Sequence, residues 1–180
     1  IDAYRPTHLG LQQNVPGLFA MVREIKGQST GDAVATAAAR GWDDMNNFAA
    51  DEFIAAGGAL AKRERYFPNP DYRPEKIAAA GVEAFSKYLN DAYADGRLAL
   101  RDFHTGEPAD PVQAATIIAS AVETLSSGGL NKLVPGAFGK SKIANKHADP
   151  RVLEWTTADA WLDAQRKWGS GDSGIWEIVN

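Results

Sequence analysis

Residues 151–180 read RVLEWTTADAWLDAQRKWGSGDSGIWEIVN, and the fold class is decided here. Four of the five tryptophans lie in this stretch. Thr156 or Thr157 can cap a helix, because a threonine hydroxyl accepts from an amide that the first turn leaves unpaired. Ala158, Trp161, Leu162 and Trp168 then fall on one face of that helix, and Gly169 and Gly171 end it. Apolar runs flank it on both sides, Val152–Trp155 and Ile175–Val179, and predict a small β element near the C-terminus.

Upstream, helical periodicity dominates. Asn14 is placed to cap a short helix that includes Pro16, with Leu18, Val22 and Ile25 on one face and Gly27 beyond its end. Ser29 or Thr30 is the expected start of a long helix. Val34, Ala38, Trp42, Met45, Phe48 and Phe53 form its stripe, Gly41 weakens it, and Gly57-Gly58 stop it. Pro68, Pro70 and Pro74 forbid a helix interior across Tyr66–Pro74 and predict an extended linker. A third helix runs from Pro74 to Gly96, with Ile77, Gly81, Val82, Phe85, Tyr88, Leu89 and Tyr93 on its apolar face. Asp110-Pro111 opens a fourth, marked by Val112, Ala115, Ile118, Ala121, Val122 and Leu125. Residues 130–150 keep no helical period. The expected architecture is therefore mainly α, an irregular bundle of about five helices with a small β element near the C-terminus. Residues 1–62 form an N-terminal helical segment and 63–180 a helical domain ending in the tryptophan-rich module.

Composition narrows the chemistry. The chain has 180 residues and no cysteine, so disulfides, thiolate metal sites and cysteine nucleophiles are excluded. No apolar run is long enough to span a bilayer. The first residues, Ile-Asp-Ala-Tyr, carry neither an initiator methionine nor a charged-then-apolar leader, and are expected to belong to a processed or excised piece of a longer chain. Net charge is −4, which gives no bulk attraction for nucleic acid. Residues 132–151 are the local exception. Lys132, Lys140, Lys142, Lys146 and Arg151 stand there against Asp149 alone, a candidate contact for a partner chain, phosphate or nucleic acid.

Catalytic patterns are weak. His8, His104 and His147 are not at metal-ligand spacing, so no metal site is expected. Asp43-Asp44, Asp51-Glu52 and the Asp91/Asp95 pair are carboxylate neighbours of the kind helix surfaces carry. Gly139-Lys140-Ser141 ends like a phosphate loop, but its earlier glycine, Gly136, is misplaced. Lys26–Gly31 and the Gly169–Gly174 turn match neither a phosphate loop nor a serine elbow and read as helix ends. No catalytic residue, cofactor site or cofactor is assigned.

Three stretches in order carry a resemblance. They are Arg63–Tyr72 (RERYFPNPDY) with Glu75–Gly81 (EKIAAAG), then Gly128–Leu133 (GGLNKL), then Asp149–Trp155 (DPRVLEW) leading into Asp159–Leu162 (DAWL) and Lys167–Asp172 (KWGSGD). The chain here resembles segments of the large internal virion proteins of tailed bacteriophages, which are packed with the genome and ejected at infection. It departs from their pattern at Asn69, where glutamine is expected. The resemblance implies a non-catalytic structural segment that packs against other copies and other virion proteins, with nucleic-acid contact through 132–151, inside the virion. Otherwise a cytoplasmic setting is expected. Two alternatives stay open: an enzymatic module of a phage polyprotein, of the cell-wall glycosidase type with Glu52, Glu64 and Glu75 as first suspects, and a bacterial helical interaction domain.

Overall fold

The computed structural model describes residues 14–58, 65–102, 107–128 and 153–179. Among them are seven helices and one two-stranded antiparallel sheet. In chain order they are α1 (Val15–Ile25), α2 (Ala33–Ala55), α3 (Pro74–Ala80), α4 (Val82–Ala94), β1 (Leu98–Ala99), α5 (Pro111–Ser126), β2 (Glu154–Trp155), α6 (Ala158–Trp168) and α7 (Asp172–Val179). The mainly helical expectation holds. Helix number exceeds the expected five for two local reasons.

The first is Gly81. Its backbone sits at φ 92° and ψ 135°, a region open to glycine alone, so the run from Pro74 breaks into α3 and α4. The second is Ile175–Val179, an apolar run that is helical in α7 and makes no strand. Short apolar runs do not distinguish the two states by periodicity. The β element pairs elsewhere: Leu98 faces Trp155 and Ala99 faces Glu154.

Caps follow the side-chain chemistry. Asn14 accepts from Gly17 N at 3.0 Å, and Thr157 accepts from Ala160 N at 3.1 Å. Asp110 accepts from Val112 N and Gln113 N while Gln113 returns the bond to the Asp110 amide, a reciprocal box. Asp32, not Ser29 or Thr30, caps α2, accepting from Val34 N at 2.8 Å. Thr30 is instead held by Glu24, which accepts from its hydroxyl at 2.7 Å.

One apolar cluster threads the described chain. It takes Leu18, Val22 and Ile25 from α1, Trp42 from α2, Phe85 and Leu89 from α4, Ile118 from α5, and Trp155, Trp161 and Trp168 from the C-terminal module. The proline-rich stretch 66–73 is not a free linker. Phe67 lies between Trp42 and Trp161, with ring centroids 5.2 and 5.0 Å away. Trp42 Nε1 donates to the Tyr66 carbonyl at 2.9 Å, and Trp161 Nε1 to the Pro68 carbonyl at 2.8 Å. The prolines remove amide donors here, and the indoles take up carbonyls that no helix or sheet pairs. Several expected core positions face outward instead: Val34, Val82 and Ala115 are exposed, Val112 is 77% exposed while Ala114 takes the buried place on α5, and Met45, Phe48 and Phe53 on α2 are exposed as well.

Candidate functional site

The residues singled out from sequence for chemistry do not converge. Lys132, Lys140, Lys142, Lys146 and Arg151 lie outside the described residues, as do His8, His104, His147, Glu64 and the Gly139-Lys140-Ser141 stretch. Glu52 is exposed near the end of α2 and Glu75 is exposed in the first turn of α3. Asp91 is paired with Lys87 at 2.6 Å and Asp95 with Arg97 at 2.8 Å, both ordinary surface ion pairs. Among the described residues no group of three or more histidine, aspartate or glutamate side chains could hold a metal ion. No described helix is long and apolar enough to cross a membrane.

Among the shifted titrations of residues 14–58 are those of Lys26 and Asp43. Burial holds Lys26 below the ordinary lysine range, with the Glu154 carboxylate opposing. Burial first, and then the adjacent Asp44 charge, raise Asp43, with Arg65 opposing. Each shift has a local cause, and neither group has an acid–base counterpart arranged across a cleft.

What the fold does bring together is the first and third of the stretches that carry the resemblance; of the second, Gly128–Leu133, all but Gly128 lies outside the described residues. Asp71 accepts from Ser170 N at 3.0 Å and from the Gln165 amide, and Gln165 Oε1 accepts from Asp71 N at 3.1 Å. Gln165 is completely buried. Arg73 N donates to the Trp168 carbonyl at 2.7 Å, and Trp155 Nε1 to the Tyr72 hydroxyl at 3.0 Å. Gly169 closes the turn where a side chain would not fit: an added Cβ would lie 2.5 Å from Gln165 Oε1 and 2.9 Å from Asp71 Oδ1. Burial alone would raise Asp71. The hydrogen bonds from Ser170 and Gln165, with the Arg73 charge, outweigh it and hold the carboxyl below its usual range. The hydrogen bonds of this knot all close on other parts of the chain, so its product is rigidity.

The outward-facing feature is on α2. Its buried residues, Ala35, Ala38, Ala39 and Trp42, all fall in the first half. Beyond Trp42 the helix continues for three more turns with Met45 48%, Phe48 68% and Phe53 53% exposed, and Ile54 exposed as well. Phe53 folds back over Gly58. Sequence periodicity assigned Met45 and Phe48 to a core stripe. They are on a different face: Gly41, Met45, Phe48, Glu52 and Ala55 recur at alternating steps of four and three, roughly a quarter-turn from the buried line. The signal that separates this half was charge, since no lysine or arginine occurs between Arg40 and Lys62.

Set against proteins of known family, function or structure, the chain finds no counterpart: no protein-family model, no curated protein and no solved structure matches it.

Proposed function

We propose that this chain is a non-catalytic packing module of an internal virion protein of a tailed bacteriophage, one that presents contact surface to neighbouring chains of the particle, its own copies among them. The observation that carries this reading is the second half of α2, which holds Met45 and Phe48 in water on a helix anchored by Trp42. Large apolar side chains in a row on a rigid element are what an interface costs a free subunit to maintain. The sequence resemblance supplies the setting, and the described parts of its first and third stretches meet around Asp71 and Trp168.

Mass spectrometry of purified phage particles tests the setting. Tryptic peptides of this chain are expected in particles that survive nuclease and protease treatment, and their confinement to the soluble lysate would remove the virion from the reading. Light scattering of the isolated 19.3 kDa chain together with a peptidoglycan turnover assay tests the role. Concentration-dependent assembly without turnover is expected. A monomer at every concentration that hydrolyses peptidoglycan would replace it with the glycosidase alternative.

A further inference from the structure

We propose that the outward face of α2, Gly41–Ala55, docks a cationic amphipathic helix of a different chain. The inference rests on the packing reading above and narrows it to one surface and one partner chemistry. Three observations meet on this face.

The geometry is that of a helix seam. Gly41, Met45, Phe48, Glu52 and Ala55 are spaced 4-3-4-3, the interval at which one helix keeps a continuous row against another. The row is about 21 Å long at 1.5 Å per residue. An added Cβ at Gly41 would meet nothing within 4 Å, so this end of the row is open to close approach by a second backbone.

The charge is of one sign. Asp44 and Glu52 border the row, and no lysine or arginine lies between Arg40 and Lys62. Asp44 falls along the Phe48 edge of the row, by the 100° step of the helix. Glu52 sits in the last turn, where α2 has no basic residue and where the helix dipole places partial negative charge. A row of Met and Phe bordered by carboxylates, ending on the negative pole of a helix, is complementary to apolar residues bordered by lysine or arginine.

The same charge argues against a second copy as the occupant of this face, so the contact between copies expected above falls on other surfaces of the chain. Pairing two α2 faces would bring the same carboxylates, Asp44 and Glu52, together from both sides, and like charges at helix–helix distance are destabilising. Anionic lipid surfaces are disfavoured for the same reason.

Met45 provides the readout. The chain has two methionines, Met45 on the face and Met21 buried at 1% exposure in the core. In full-length protein labelled at the methionine methyls, a synthetic 18-residue Leu/Lys amphipathic helix is expected to shift the Met45 resonance saturably and leave Met21 in place. The matching Leu/Glu peptide is expected to shift neither. Phe48→Ala should weaken the Leu/Lys titration at least tenfold, and Asp44→Asn/Glu52→Gln should weaken it while removing part of its salt dependence. Absence of a Met45 shift with the Leu/Lys peptide overturns the proposal, as does binding equal in wild type and Phe48→Ala. A Met45 shift that depends on protein concentration without peptide assigns the face to a second copy, and one produced by neutral phosphatidylcholine vesicles assigns it to lipid. Either overturns a cationic partner. If the particle contains the chain and it still assembles while Met45 stays unmoved, the packing reading survives and this docking surface does not.

Discussion

Trp161 shows how a single side chain joins parts of the sequence that have no local reason to meet. Its ring is fully buried edge-on against Phe67, and its Nε1 donates to the Pro68 carbonyl at 2.8 Å. Phenylalanine at this position keeps most of the apolar area, leaves the carbonyl unpaired and opens a small void. Trp161→Phe is expected to cost about 2–3 kcal/mol in urea denaturation, the combined effect of an unsatisfied buried acceptor and lost packing. A loss under about 0.5 kcal/mol would show that the Pro68 bond contributes nothing. Asp71 carries a different signature. Its folded-state carboxyl is held below its unfolded value, so it contributes stability above the unfolded value near 4, and that contribution fades as pH falls toward the folded one. Asp71→Asn cannot accept from Ser170 and Gln165 in the same way at any pH. The stability gap between wild type and Asp71→Asn should therefore be widest at neutral pH and close below about pH 4. A gap that stays constant from pH 7 to pH 3 would mean that charge plays no part in this knot.

The elements divide into those coded locally and those coded by distant partners. Caps at Asn14, Asp110 and Thr157, and stripes such as Leu18-Val22-Ile25, are legible because cap and stripe lie within one turn or two of each other. The β1–β2 pairing is not legible, since Leu98 and Trp155 are far apart in sequence and each strand is only two residues long. The outward turn of α2 is hidden for another reason: periodicity reports that apolar residues share a face, and not whether that face meets the core. Of the residues marked from sequence for contact, Lys132–Arg151 lie outside the described residues, and the Asp71–Gln165–Ser170 knot carried no spacing rule that could have announced it. Gly81 tests how local the coding is. Nothing lies within 4 Å of a Cβ added there, so space is not the issue; its φ of 92° is. Gly81→Ala is expected to destabilise by about 1–3 kcal/mol through backbone strain. An unchanged midpoint would require α3 and α4 to fuse into one helix, which far-UV circular dichroism would register as a gain.

At the scale of the molecule, the question is whether the helices of residues 14–58 and the tryptophan-rich module fold as one body. α1 packs on α2, on α6 and on α7, and Arg23 reaches Asp159 at 2.6 Å across the first of these joints with the module. That ion pair is exposed on both sides and adds little by itself. The coupling comes from shared apolar burial: Leu18 is fully buried in the same cluster as Trp161 and Ile175. Removing its side chain leaves a cavity bordered by residues from both ends of the chain, with an expected cost of about 2–5 kcal/mol. If the cluster is energetically continuous, Leu18→Ala in a Trp42→Phe background, where fluorescence reads only the tryptophans of the C-terminal module, lowers the midpoint of the tryptophan fluorescence transition as much as that of the far-UV transition, which reads the helices together. Two independently folding parts would respond differently: the far-UV curve would split, with an early phase from α1 and α2 and a fluorescence midpoint left near its wild-type value. Coincident shifts are expected, because Leu18, Val22 and Ile25 are buried in the same cluster as the tryptophans of the C-terminal module.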